Sequence, residues 1–241
     1  MCRSALERAA EHWGQALGVD PPVVVQDGVV LLPSDGDIAV LALGRGCVVT
    51  APVEIHERLA AVPRHVLTDV QELARSFADL GGRPFQEIGT AVLCYLERDD
   101  FVKPALPHPV RAAGAPGRSG AVLAQCAADD IDEAAVGQDE GVVVALTPYG
   151  KPAALAAVEF WGSTIGHLGV LTVPAYRGPG YGTAAAARAS RDVLARGLLP
   201  PWRAALGHTP SLSIARRWGF VELGRQSLVL LARPALAKRL G

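Results

Sequence analysis

Aromatic side chains make up only 5% of the 241 residues, and there is a single methionine. Any core must therefore be built from Ala, Val, Leu and Gly rather than from large rings. Half of the chain is hydrophobic, so that core can still be substantial. An excess of charge is missing too: 23 Lys and Arg stand against 24 Asp and Glu, a net charge of −1. That balance argues against a nucleic-acid partner held by bulk electrostatics. No uninterrupted apolar run is long enough to span a bilayer, and the opening Cys2-Arg3-Ser4-Ala5-Leu6-Glu7 lacks the apolar region of an export signal. Cysteine is sparse. Cys2, Cys47, Cys94 and Cys126 are far apart and form no Cys-x-x-Cys unit. Cys47 and Cys94 read as buried free thiols, with neither a metal site nor a disulfide framework. The expectation is a cytoplasmic protein that uses no metal, membrane or nucleic acid.

What is present divides into two parts. Residues 4–17 read as a helix ending at Gly18, and 23–32 and 38–50 as β-rich runs turned at Asp27-Gly28 and Gly44-Arg45-Gly46. Helical spacing follows over 53–61 and 67–80, with Gly81-Gly82 as a stop, and 88–96 reads as a strand. Residues 103–119 contain Pro104, Pro107, Pro109 and Pro116 with few large apolar side chains, the composition of a connector. The expected division is thus an α/β domain over 1–102, a linker over 103–119 and a second domain over 120–241. The first part shows no catalytic constellation. His12, His56 and His65 read as surface or packing residues, and His56-Glu57 lacks the second histidine that a zinc helix needs. In the second part, strands are expected over 141–146, 153–161, 165–173 and 201–205. An Ala-rich helix spans 182–196 and another opens at Thr209-Pro210-Ser211. Two strands close the chain, at 220–223 and 227–231.

The informative segment runs Leu171-Thr172-Val173-Pro174-Ala175-Tyr176-Arg177-Gly178-Pro179-Gly180-Tyr181-Gly182-Thr183. It is a strand, a glycine-rich turn and a helix start. Consecutive backbone N–H groups in such a turn form an anion-binding concavity, to which a helix N-terminus adds partial positive charge. Glycines let the backbone approach a phosphate with no Cβ in the way. Alone, the segment reads equally as an ordinary strand-to-helix turn. A second feature stands about 30 residues on: Ser211-Leu212-Ser213-Ile214-Ala215-Arg216-Arg217-Trp218-Gly219-Phe220.

Together these resemble the GNAT superfamily of N-acetyltransferases, over roughly residues 120–232. The family signature is Arg/Gln-x-x-Gly-x-Gly/Ala after a strand ending in Leu-x-Val. Arg177, Gly180 and Gly182 fill the signature, and Leu171 and Val173 fill the strand. The later segment is similar to the family helix that begins near Asn-x-x-Ser and ends in Gly-Phe. The resemblance implies a mixed, mostly antiparallel sheet flanked by helices, preceded here by a smaller α/β domain whose elements also permit a degenerate GNAT-like half. It implies acetyl-CoA as co-substrate, lying where two parallel strands, here 165–173 and 201–205, splay apart. Leu171, Thr172 and Val173 would meet its pantetheine arm, and Arg177, Gly178, Pro179, Gly180, Tyr181, Gly182 and Thr183 its pyrophosphate. His208 stands where the family has asparagine. Ala215 stands where many members have a tyrosine that protonates the leaving thiolate, so the acid is open; Ser211 reads either as that acid or as a helix cap.

An amine must lose a proton before it attacks a thioester, so a base is required. The resemblance points to His167, four residues before Leu171, where several members carry a Glu or His base. The same histidine also reads as a hydrogen-bonded residue at a strand start. Glu159, late in an apolar strand, is the second candidate and equally an outward-facing carboxylate. The implied reaction is acetyl transfer to the primary amine of a small molecule or peptide by direct attack. The alternative is an inactive acyl-CoA-binding sensor. The acidic run Asp129-Asp130-Ile131-Asp132-Glu133 reads as a lure for a cationic acceptor or as a solvated helix face. A homodimer is compatible with all of this.

Overall fold

The computed structural model describes residues 3–77, 85–105, 110–112, 116–134, 136 and 141–231. Cys2, Gly81-Gly82, Pro107 and Pro109 lie outside the described residues. The architecture is α/β, with mostly antiparallel strands flanked by helices, as expected. One sheet has the order β1-β3-β2-β10-β4-β9 and the other β5-β6-β7-β8. Contacts divide the chain into two compact units. One contains residues 1–12, 95–202 and 214–221; the other contains 13–94, 203–213 and 222–241.

The chain starts with α1 (Ala5–Leu17). Ser4 and Glu7 cap it reciprocally: the Glu7 N–H donates to Ser4 Oγ and the Ser4 N–H to Glu7 Oε2. Gly18, at φ +69°, ends it. The strand expected from residue 23 begins later. Pro21 and Pro22 occupy the first turn of a short helix, α2 (Pro21–Val25), where their fixed φ and missing N–H do no harm. Gly46 packs under that helix, where a Cβ would overlap the Val24 carbonyl. The first strand is therefore β1 (Gly28–Pro33), parallel to β3 (Gly46–Ala51), while β2 (Ile38–Leu43) and β3 form the expected hairpin. A 3-10 turn (Val53–Ile55) leads to α3 (His56–Ala60), α4 (Arg64–Leu67) and α5 (Val70–Phe77). Leu59, Leu67, Val70 and Leu73 from these helices close on Ile38, Val40, Cys47 and Val49. β4 (Phe85–Tyr95) carries Cys94, which is buried like Cys47; burial pushes the Cys47 thiol up.

Residues 103–119, with a connector's composition, hold β5 (Val110–Ala112) and the start of α6 (Pro116–Leu123). β5 pairs with β6 (Gly141–Leu146), so its backbone is tied into a sheet. α7 (Ala128–Glu133) precedes β6. β6, β7 (Pro152–Trp161) and β8 (Ile165–Thr172) form an antiparallel meander. α8 (Tyr181–Ala195), β9 (Pro201–Ala205) and α9 (Thr209–Arg217) follow. The two closing strands form one continuous β10 (Val221–Leu231), because Gly224 lets the ladder with β2 run on: a Cβ there would overlap the Ala42 carbonyl.

The small-residue composition explains the packing of the meander. One face presents Ala154, Ala156 and Val158 to Ala185, Ala189 and Val193 of α8, so helix and sheet approach closely. The other presents Leu155, Ala157 and Leu171 to Val122 of α6. The absence of rings is made good by proximity. Among the described residues, no helix is long and apolar enough to cross a membrane.

Candidate active site

The site begins with the edge position of β8. Alternate residues of an antiparallel strand direct both backbone groups to one neighbour, and the intervening residues direct theirs to the other side. Two bonds fix the phase. The Val173 N–H donates to the Ala153 carbonyl, toward β7, and the Gly166 N–H donates to the Leu199 carbonyl, away from it. Leu168, Val170 and Thr172 therefore share the outward phase of Gly166. Leu171 shares the inward phase of Val173. Of the three expected pantetheine contacts, Thr172 is on the outward phase and Leu171 on the inward one, while Val173 donates its N–H to β7 and accepts at its carbonyl from the Tyr176 N–H. Leu168 and Val170 are outward groups that sequence reasoning missed. Alternation was legible in the sequence, but its phase needed one observed bond.

The outward edge is paired only at its start. Ile165 forms a single parallel bridge with Leu199, on the approach to β9. The chain then enters β9, whose sheet neighbour is β4. Past that bridge, no ladder among the described residues pairs β8 with β9.

β8 ends at a 3-10 turn (Pro174–Tyr176), and the exposed residues 177–179 lead into α8. Gly180, at the N-cap of α8, has φ +91°, a left-handed conformation that strains any side chain. The first N–H groups of a helix have no intrahelical acceptor, and such groups suit an anion. Gly182 is glycine for another reason. A Cβ there would overlap Thr172 Oγ1, so this glycine seats α8 against the end of β8. The Tyr181 side chain is buried in the α8–sheet core and meets Tyr176 edge-on. Arg177 is engaged: its Nη2 lies 2.9 Å from Asp130 Oδ2, and its Nε donates to the Thr172 carbonyl at 3.4 Å. The acidic run is thus partly a partner of the signature arginine. Cys126 lies close by, its thiol pushed up by burial and by Asp130 and pulled down by Arg177.

His167 and Glu159 face each other directly across the β7–β8 ladder, so their side chains share one face of the sheet. That face also carries Leu171, roughly 13 Å along β8 at four residues' rise. Glu159 is exposed and His167 half-buried, with its Nδ1 buried. The His167 ring stacks on Trp161 at 4.2 Å between centroids. Gly166 keeps the opposite face of β8 close to α8, since a Cβ there would lie 2.6 Å from Val193 Cγ1.

Ser211 and His208 belong to the other unit. His208 is exposed and its carbonyl accepts from the Leu212 N–H, which makes it the residue that opens α9. Ser211 lies within the first turn of that helix rather than ahead of it. Ala215 is fully buried.

Among solved structures, the chain is similar to a GCN5-related N-acetyltransferase from Kribbella flavida, with a TM-score of 0.51 and 20% identity over 68% of this chain. The fold is that of the GCN5-related N-acetyltransferases. The chain spans 65% of the Kribbella protein's length, just under two thirds. It is also similar to a tandem GNAT protein from the clavulanic acid biosynthesis pathway (TM-score 0.48, 16% identity, 67% of this chain and 59% of that one). A GCN5-related N-acetyltransferase from Sphaerobacter thermophilus aligns comparably (TM-score 0.47, 15% identity, 68% and 57%). No protein-family model matches the chain, and a search of curated proteins gives no match. The GNAT fold accounts for the succession of strand, glycine turn and helix start that residues 165–195 form.

Proposed function

We propose that the chain is an acetyl-CoA-dependent N-acyltransferase acting on the primary amine of a small molecule or peptide. The observation that supports this best is the open outward edge of β8, which leads directly into the glycine turn at the head of α8. An extended amide-bearing arm would pair with the backbone of Leu168, Val170 and Thr172 as an added strand. Its pyrophosphate would rest on the turn at residues 178–183, in which every residue except Pro179 carries a backbone N–H. The residues fit an anion, because the turn is exposed and the left-handed Gly180 brings no side chain to the N-cap of α8. His167 would take the proton of the acceptor ammonium, with Glu159 across the ladder as second candidate. An outward strand N–H at Val170 or Thr172 would steady the developing oxyanion. Neither attack nor departure of the thiolate requires a covalent enzyme intermediate.

The fully buried Ala215 favours a second reading. No hydroxyl can be offered from that position, as expected of a domain that binds acyl-CoA without turning it over. One experiment separates the two: calorimetry with acetyl-CoA, followed by a panel of primary amines scored for thiol release and product mass. Binding with thiol release supports transfer. Binding without thiol release from any amine supports the sensor. Absence of binding overturns both.

A further inference from the structure

The bridge at the start of β8 consists of two hydrogen bonds to one residue. The Leu199 N–H donates to the Thr164 carbonyl at 2.8 Å, and the Leu199 carbonyl accepts from the Gly166 N–H at 3.1 Å. In a parallel ladder the next residue turns both backbone groups to the other side, and the one after turns them back. Pro200 obeys this: its carbonyl accepts from the Leu96 N–H at 3.2 Å, on the side away from β8. A residue that precedes proline is held extended, so Leu199 and Pro200 carry the alternation intact to residue 201. Residue 201 is therefore the next to face β8. Were the ladder to continue, its N–H would donate to the Gly166 carbonyl and its carbonyl would accept from the Leu168 N–H. Thr164, Gly166, Leu168, Leu199, Pro200 and Pro201 all belong to the unit that carries the glycine turn.

Residue 201 is proline. It has no N–H to give, and its ring stands where that hydrogen would be, so it cannot bond the Gly166 carbonyl. Neither continuing bond is formed among the described residues, and the bridge stays isolated. β8 itself supplies no reason to stop. Its register against β7 runs from Ile165 to Thr172 without a shift, so no bulge turns it aside. The obstacle is Pro201, which is buried, as are Leu199 and Gly166. Leu168 is half-buried, and its N–H is the first outward donor past the bridge.

We infer that Pro201 is a positioning residue that stops the β8–β9 ladder after one bridge and so keeps the Leu168 N–H for the coenzyme arm. The inference rests on the reading of the outward edge of β8 as the seat of acetyl-CoA. A ligand that pairs as an added strand competes with any strand of the same chain able to take that edge. One more residue of ladder would spend the Leu168 donor inside the protein. Proline removes the competitor by lacking a donor. Pro200 cannot do this, because its phase is the opposite one.

The two adjacent prolines supply the test. Pro201→Val restores an N–H on the β8 side, and Pro200→Val restores one on the other side. Amide hydrogen exchange of the full chain, followed residue by residue by NMR, should show a fast Leu168 amide in the parent beside a slow, bonded Gly166 amide. Pro201→Val should slow the Leu168 amide at least tenfold and leave the melting temperature at or above that of the parent. It should also weaken acetyl-CoA binding in calorimetry by about tenfold, roughly the worth of one hydrogen bond. Pro200→Val should leave both the Leu168 exchange and the affinity as they are in the parent. Affinity that falls while stability holds is a result that a merely structural proline would not give. Unchanged Leu168 exchange in a folded Pro201→Val protein overturns the inference. Slowed exchange with full affinity overturns it too, as does an equal loss of affinity in Pro200→Val. Should Pro201→Val fail to fold, Pro201→Ala takes its place with the same readings expected, and failure of both to fold overturns the inference. The two levels fail separately. If the parent does not bind acetyl-CoA, the proposed function falls, while the exchange data still decide whether Pro201 stops the ladder.

Discussion

Gly180 and Gly182 sit two residues apart and are glycine for different reasons. At Gly180 the backbone is left-handed, and an alanine would cost about 1–2 kcal/mol in strain. At Gly182 the backbone is helical, and the obstacle is Thr172 Oγ1. Gly182→Ala should therefore lower the melting temperature through overpacking, by roughly 1–3 kcal/mol of stability. The double variant Gly182→Ala/Thr172→Ala should recover most of it, because the clashing atom is gone. Gly180→Val should instead weaken acetyl-CoA binding severely, and Thr172→Ala should not rescue it. Thermal melts and calorimetry on the four proteins check this; equal rescue at both positions would show that both glycines serve packing alone. The motif was legible in the sequence because its spacing is rigid, but the division of labour inside it was not. Arg177 adds a residue-scale prediction. Its guanidinium is held by Asp130, a carboxylate that competes with a phosphate. Asp130→Asn should tighten acetyl-CoA binding several-fold at low salt, and the gain should shrink as ionic strength rises. Weaker binding would mean that the pair builds the site rather than competing with it.

Elements were legible where hydrophobic period and turn residues agreed. β6, β7, β8, α8 and β9 stand within a residue or two of their expected bounds. The misreading at residues 23–25 came where two local signals conflicted. Val23, Val24 and Val25 favour a strand, but Pro21 and Pro22 ahead of them start a helix. Residues 103–119 look like a connector by composition, yet Val110–Ala112 gains hydrogen bonds from β6 that no composition records. The same gap hid the working edge of β8, since a strand's outward phase depends on its neighbours. That phase can be tested with proline. Val170→Pro removes an outward N–H from an edge strand, a position where proline is tolerated. The protein should fold and lose acetyl-CoA affinity. Leu171→Pro removes an inward N–H of the β7 ladder and should fail to fold. Circular dichroism with calorimetry reads both, and the reverse pattern would place the phase one residue off.

For the whole molecule, the expected division into residues 1–102, 103–119 and 120–241 now stands beside two units that share the chain differently. Residues 1–12 belong with 95–202, and 203–213 belong with 13–94. A fragment beginning at residue 120 would lack His12, whose ring stacks on Trp161. We expect the fragment 120–241 to be poorly soluble or to bind acetyl-CoA at least tenfold more weakly than the full chain. Expression of the two side by side checks this, and full affinity in the fragment would restore the simple division. The chain passes between units at 12/13, 94/95, 202/203, 213/214 and 221/222. Synthesis proceeds from the N-terminus at about 5–20 residues per second. One unit waits for residues 214–221 and the other for the strand that ends at Leu231. Neither can close while β10 is still inside the ribosome, so the nascent chain carries its Ala- and Val-rich sheets unfinished until Leu231 has emerged, when the two units become able to complete themselves nearly together.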